Sequence, residues 1–157
     1  MTASLDIRHD QSLRSLNTFG IDAKASSYLR VSGVDDLRAV SADAALSAMR
    51  RLVLGGGSNL LLTRDFDGLV LHMSNTGMQV SGEDESSVSV TVQAGENWHG
   101  FVLWTLAHDL PGLENLSLIP GSVGASPIQN IGAYGAELSE YFHSLKAFDF
   151  QTGEILF

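Results

Sequence analysis

Residues 52–61 have the sequence LVLGGGSNLL, in which a predicted strand, Arg51–Leu54, runs directly into three glycines. Because glycine has no Cβ, successive backbone N–H groups of such a run can converge on one point. A concave set of N–H groups binds phosphate and other anions, and the side chains of Ser58 and Asn59 could add hydrogen bonds. A plain tight turn between strands is the alternative, so this stretch alone leaves both interpretations open.

Two common nucleotide-binding motifs do not fit this loop. A Walker A loop needs Lys and then Ser or Thr after its last glycine, whereas Gly57 is followed by Ser58 and Asn59. The dinucleotide-binding pattern needs a third glycine at the position of Leu60. The loop therefore predicts anion binding by backbone N–H groups outside these two motif classes.

A second glycine-rich stretch, residues 116–135, has the sequence LSLIPGSVGASPIQNIGAYG and follows a helix predicted from Asn97 to His108. Its glycines alternate with small and polar residues, so bare backbone could lie against a large flat ligand. Pro120 and Pro127 lower the entropic cost of ordering the stretch. A purely structural loop is the alternative, although loops of this length inside a domain are more often functional.

The overall composition excludes several classes of partner. The chain has 157 residues, a formal net charge of -9 and only nine Lys and Arg residues, which argues against nucleic-acid binding. No apolar run approaches the length of a spanning helix, so no membrane partner is expected. The polar N-terminus, Met1–Asp10, does not resemble a signal peptide, and a cytoplasmic location is therefore expected.

The side chains that usually bind metals or attack substrates are not arranged for either task. The chain has no cysteine, which excludes disulfides and thiolate metal sites. Its five histidines show no metal-ligand spacing, so no metal site is predicted. His99 and His108 lie on the predicted helix nine positions apart, and surface or capping roles are expected for both.

Four segments, in this order and with this spacing, resemble the family of UDP-N-acetylenolpyruvoylglucosamine reductases, the MurB-type enzymes. They are NTFGI at residues 17–21, VLGGGSNLL at 53–61, AGENW at 94–98 and PGLENLSLIPGSVGASPIQNIGAYG at 111–135. The glycine triplet by itself is a weak signal, whereas the four segments together are specific. The resemblance extends from Leu16 to the end of the chain.

The resemblance implies an α+β protein with the vanillyl-alcohol-oxidase (PCMH) type of FAD-binding fold, made of two subdomains. The first would comprise residues 1–74 and the second, which would be incomplete, residues 75–157. The family's substrate-binding domain would lie outside this chain. Non-covalent FAD is implied, with contacts from the two glycine-rich loops at Leu54, Gly55, Gly56, Gly57, Ser58, Asn59, Leu60, Ile119, Pro120, Gly121, Gly124, Ala125, Ser126, Asn130, Ile131, Gly132 and Tyr134.

The implied activity is an oxidoreductase step of peptidoglycan precursor synthesis. NADPH, as co-substrate, would reduce FAD, and the flavin would reduce the enolpyruvyl UDP-N-acetylglucosamine to UDP-N-acetylmuramate. The family's catalytic Arg, Ser and Glu have no counterpart in this chain and are expected beyond Phe157. The chain is therefore expected to be a fragment that is inert by itself.

Two alternatives remain open at this point. One is another FAD-dependent oxidoreductase of the same fold, such as an alcohol or hydroxy-acid oxidase. Many of those enzymes attach FAD covalently through His or Cys, and neither glycine-rich loop contains either residue. The other alternative is a nucleotide-binding module without enzymatic activity, which the lack of catalytic residues would fit.

Overall fold

The computed structural model describes residues 5–157 and divides into two units. One unit comprises the described residues up to Ser74 together with Ser144–Phe157, and the other is Asn75–His143. The family resemblance likewise implies a boundary after residue 74. The first four residues, part of the N-terminus in which no signal peptide is predicted, lie outside the described residues.

A four-stranded sheet forms the first unit. Its strand order is β1-β2-β4-β3, with β1 antiparallel to β2 and the other neighbours parallel. Alternating side chains enter two apolar clusters, so that Val70 packs in one cluster while Leu69 and Leu71 pack in the other. The strands are β1 (Arg8–Ser12), β2 (Lys24–Val31), β3 (Arg51–Leu54) and β4 (Phe66–Met73).

Two short helices connect β2 to β3. They are α1 (Val34–Ala42), which buries Val40, and α2 (Ala44–Ala48). The break between them falls at Asp43, whose carboxylate accepts hydrogen bonds from the N–H groups of Ala45 and Leu46 at 2.9 and 3.0 Å. A carboxylate in this position is a strong N-cap, and it fixes where the second helix begins.

The second unit contains a hairpin, one longer helix and several short turns around an apolar cluster. The hairpin pairs β5 (Met78–Glu83) with β6 (Val88–Val92). The helix is α3 (Trp98–Ala107), capped by the side chain of Asn97, which accepts from the N–H of Gly100 at 2.8 Å. Short 3-10 turns follow at Glu114–Leu116, Val123–Gln129 and Leu138–Glu140, with the strand pair β7 (Gly132–Ala133) and β8 (Ala136–Glu137).

Residues 144–157 lie in the first unit, whereas the sequence-based division placed them in the second subdomain. They carry the hairpin β9 (Ala147–Phe148) and β10 (Ile155–Leu156) and lie with the first unit. The physical reason is Phe150, which packs against the cluster that contains Leu29 and Val40. The guanidinium of Arg51 also lies 4.8 Å from the centre of the Phe150 ring.

Two candidate cofactor-binding loops

The first glycine loop leaves the sheet at the end of β3. Leu54 is buried in the apolar cluster beneath the loop, and Leu60 packs against the same cluster where the loop ends. Between them, Gly55 is half-buried while Gly56 and Asn59 are exposed. The backbone N–H groups of Gly56, Gly57 and Ser58 donate no hydrogen bond to any group within residues 5–157. Unpaired backbone N–H groups are one requirement for binding an anion by main chain.

Gly57 occupies a position where any side chain would be strained and would collide with main chain. Its φ of +63° lies in the left-handed region, and an added Cβ would lie 2.0 Å from the carbonyl oxygen of Leu16. The carbonyl of Gly57 accepts a hydrogen bond from the N–H of Thr18 at 3.2 Å. The third glycine is therefore needed for a close approach of two backbone segments.

The segment that supports Gly57 is the Asn17–Ile21 turn. The buried Asn17 side chain donates to the carbonyls of Leu13 and Ile21 at 2.8 and 2.9 Å and accepts from the Ile21 N–H at 3.0 Å. Gly20, with φ of +63°, completes the turn. In the sequence, this segment is part of the family resemblance and carries no predicted role. An Asn followed three positions later by Gly is a turn signal that could have indicated one.

The side chains of His72 and Tyr28 form a hydrogen-bonded pair on the sheet, beside the strand that leads into this loop. His72 is the register partner of Leu54, and its Nδ1 lies 2.7 Å from the hydroxyl of Tyr28. Burial lowers the pKa of His72, and the charge of Arg30 lowers it further. Burial raises the pKa of Tyr28 against the opposing charges of Arg8 and Arg30. Both shifts favour the uncharged forms of the two side chains, which share one hydrogen bond whose direction depends on the imidazole tautomer.

Three hydrogen bonds join the start of the second glycine loop to Trp98 and His99, two adjacent residues of α3. The Trp98 indole N–H donates to the carbonyl of Leu116 at 2.8 Å, and its backbone N–H donates to the carbonyl of Gly121 at 3.0 Å. The N–H of Leu118 donates to Nδ1 of His99 at 3.2 Å. The helix start thereby fixes the entry into the loop.

The middle of the second loop lies against residues 94–96. The N–H groups of Val123 and Gly124 donate to the carbonyls of Glu96 and Ala94, both at 2.9 Å. An added Cβ at Gly124 would lie 2.5 Å from the Cβ of Ala94 and 2.9 Å from its Cα. As in the first loop, one glycine is required for a close approach of two segments.

Several predicted side chains of the second loop are occupied within the loop itself. Ser126 is buried, and its hydroxyl donates to the carbonyl of Val123 at 2.7 Å. The Asn130 amide donates to the Glu137 carboxylate at 2.8 Å and accepts from the N–H of Ser139 at 2.9 Å. Ile131 is buried in the apolar cluster of this unit. These side chains hold the loop in shape and do not point to direct contact with a ligand.

Other predicted residues of this loop are accessible. Tyr134 is 89% exposed, and Pro120 and Gly132 are also exposed. Ile119, Gly121 and Ala125 are half-buried. The neighbouring Leu118 and Ile128 are 77% and 85% exposed, so large apolar side chains project from the loop. An apolar ligand of extended area would cover such a surface.

The described residues show no arrangement for two other kinds of site. Residues 5–157 contain no group of three or more His, Asp or Glu side chains placed to hold a metal ion. In the same range, every helix is too short or too polar to cross a membrane.

The sequence of this chain is similar to those of known flavin-binding proteins. A family model described as an FAD binding domain matches residues 25–157. The UDP-N-acetylenolpyruvoylglucosamine reductase of Burkholderia mallei (strain NCTC 10229) is 51% identical over 154 residues, which are 98% of this chain and 44% of that protein. The enzyme of the same name from Paraburkholderia phymatum is 52% identical over 153 residues, with the same coverage. The chain thus spans less than half the length of these curated relatives.

A solved structure matches the fold. The crystal structure of UDP-N-acetylenolpyruvylglucosamine reductase (MurB) from Thermus caldophilus superposes with a TM-score of 0.63 at 22% identity, over 87% of this chain and 46% of that one. The α+β FAD-binding fold predicted from the sequence is confirmed by this match together with the family model.

Proposed function

This chain belongs to the FAD-binding domain family, and from that premise we propose that it is the cofactor-binding part of a UDP-N-acetylenolpyruvoylglucosamine reductase. The relatives that carry this name are 51% and 52% identical to the chain over almost its whole length, which supports this reaction over others catalysed by enzymes with an FAD-binding domain. The proposed activity is the NADPH-dependent reduction of a UDP-linked enolpyruvyl sugar in peptidoglycan precursor synthesis. The reaction is that of the whole protein, and this chain spans less than half the length of the relatives that carry the name.

The observation that carries the proposal is the backbone of the first glycine loop. We assign the FAD pyrophosphate to residues 55–59, because the N–H groups of Gly56, Gly57 and Ser58 have no acceptor within residues 5–157. Backbone N–H groups suit this acidic chain, which has nine basic side chains against eighteen acidic ones. The Asn17–Ile21 turn would hold the loop in this form whether or not an anion is present.

The second glycine loop is assigned to the flavin ring and the ribityl arm. The fit is supported by exposed backbone at Pro120 and Gly132 and by the exposed ring of Tyr134. Ser126, Asn130 and Ile131 are given a supporting role, since their side chains are buried or already hydrogen-bonded. Their backbone atoms could still contact the cofactor.

When bound, FAD would supply the hydride chemistry, while the protein supplies binding, orientation and exclusion of competing reactions. The partners of the reaction would be small molecules, NADPH and the UDP-sugar. A cytoplasmic location stays part of the proposal.

The direct test is an FAD titration of the purified chain, followed by acid precipitation and the absorbance spectrum of the supernatant. Flavin that binds and is then released by acid is the expected result. Flavin that stays with the precipitate would indicate a covalent oxidase of the same fold. A chain that binds no flavin would favour a non-flavin nucleotide module. Assay of the whole gene product for NADPH oxidation that depends on the UDP-sugar then tests the reaction.

The assignment of the first loop is tested by Gly56→Val. Gly56 is exposed, so the fold should survive, while a branched side chain at this point should keep phosphate away from the N–H groups. We expect loss of FAD binding with an unchanged circular dichroism spectrum. Gly33→Val is the matched control, because an added Cβ at Gly33 has nothing within 4 Å. FAD binding by Gly56→Val at the level of the unsubstituted chain would refute the assignment.

A further inference from the structure

His99 is joined to the second glycine loop by a hydrogen bond. It lies in the first turn of α3, and its Nδ1 is 3.2 Å from the backbone nitrogen of Leu118. A backbone nitrogen is always the donor, so Nδ1 must be the acceptor and carry no proton. The bond therefore requires a neutral imidazole with its proton on Nε2.

Leu118 is in a conformation that needs support. Its φ of +63° lies in the left-handed region, which is unfavourable for a side chain with a Cβ, and its side chain is 77% exposed. Packing of the side chain therefore contributes little to this conformation. The hydrogen bond to His99 instead holds the Leu118 N–H in this conformation.

The position of Leu118 gives this bond a consequence for the loop. Leu116 and Gly121, on either side, are held by the side chain and the backbone of Trp98. His99 supplies the middle one of three hydrogen bonds from consecutive residues of one helix. The backbone of Ile119 and Pro120 is thus fixed from both sides.

We propose that His99 is a positioning residue for the flavin: its unprotonated Nδ1 holds the Leu118 N–H and so sets the conformation of residues 118–121 for cofactor binding. The inference rests on the proposed function, since it assigns those residues to the FAD site. It replaces the expectation of a surface or capping role for His99. His108, at the other end of α3, bonds to the carbonyl of Trp104 at 2.8 Å and stacks on that indole.

The test compares His99→Asn with His99→Ala. The amide oxygen of Asn reaches about the position of Nδ1 and accepts a hydrogen bond, whereas Ala leaves the Leu118 N–H without an acceptor. FAD titration should give a Kd raised about tenfold for His99→Ala, equivalent to one lost hydrogen bond, and within about twofold of the original for His99→Asn. His108→Ala, which touches neither glycine loop, should leave the Kd unchanged.

A second measurement does not involve flavin. Amide hydrogen exchange of Leu118 in the flavin-free chain should be faster in His99→Ala and unchanged in His99→Asn. Equal losses in both variants would overturn the acceptor role in favour of ring packing. An unchanged Kd and unchanged exchange in His99→Ala would overturn the positioning role. An original chain that binds no FAD would overturn the proposed function, and with it the cofactor role of His99, while the exchange data would still decide whether the hydrogen bond holds the loop.

Discussion

The backbones of the two glycine loops are held in place by different contacts. In the first, residues 55–59, the support is another stretch of main chain: Gly57 lies directly on the Leu16–Asn17 backbone. In the second, residues 116–135, side chains such as those of Trp98, Ser126 and Asn130 add their hydrogen bonds to main-chain ones. A short loop offers few side chains, so it depends on one glycine at one contact. A long loop can distribute the same task over many bonds.

This difference predicts how each loop responds to damage. A change at the Gly57 contact of the first loop should be severe, because relief requires two main-chain segments to move apart. A change in the second loop should be milder, because its remaining hydrogen bonds persist.

The largest effect is expected for Gly57→Ala. The new Cβ would lie 2.0 Å from the Leu16 carbonyl oxygen, and the residue would also have to keep a φ of +63°. Overpacking and left-handed strain together should lower the free energy of unfolding by about 3 kcal/mol. Urea denaturation followed by circular dichroism measures this loss.

Gly20→Ala separates the two causes. Gly20 has the same φ of +63°, but an added Cβ there meets nothing within 4 Å. Its cost should be the strain alone, about 1 kcal/mol. Equal losses at both positions would mean that the contact of Gly57 with Leu16 is not a support of the first loop.

The corresponding change in the second loop is Gly124→Ala. Its Cβ would lie 2.5 Å from the Cβ of Ala94, and relief requires movement of backbone. We expect a loss of about 2 kcal/mol in the free energy of unfolding. Adding Ala94→Gly removes the nearer atom and should restore part of the loss, although the Cα of Ala94 remains at 2.9 Å from the new Cβ. Strictly additive effects of the two substitutions would show that the segments do not press on each other.

Sequence reasoning located both loops and the elements beside them, because glycine runs and apolar periodicity are local signals. A strand at Arg51–Leu54 and a helix from Asn97 to His108 were predicted in this way, and the structure has a strand at Arg51–Leu54 and a helix at Trp98–Ala107. The antiparallel strand β1, Arg8–Ser12, was not predicted, since its residues are mostly polar and exposed. Its partner β2 lies twelve residues further along the chain, so only the tertiary structure reveals the pairing.

The roles of individual site residues were harder to predict than the loops. Ser126 and Asn130 have the residue types of ligand contacts, yet their side chains bond to Val123 and Glu137. Nothing in the spacing of residues distinguishes a side chain that meets a ligand from one that closes its own loop. The same limit applies to His99, whose partner Leu118 is nineteen positions away.

The smallest expected effect concerns His72, the register partner of the last strand residue before the first loop. Burial lowers its pKa in the folded chain below the ordinary value near 6.5. The unfolded chain therefore binds a proton at a higher pH than the folded chain does. Stability from this group is fully present above pH 6.5 and declines as the pH falls through the lower, folded pKa.

Denaturation of the original chain and of His72→Gln between pH 7.5 and 5 isolates this contribution, because the other histidines are common to both. The original chain should lose more stability than the variant on acidification, since Gln can accept from Tyr28 but does not titrate.

Tyr28→Phe sharpens the comparison. Burial is the main cause of the His72 shift, so removing the Tyr28 hydroxyl should leave most of the pH dependence in place. If the pH dependence of stability disappears in Tyr28→Phe, the hydrogen bond rather than burial keeps His72 neutral. A side-chain hydrogen bond would then contribute to stability near the first loop, as side-chain bonds do in the second. Parallel profiles for the original chain and His72→Gln would instead remove His72 from the account of stability.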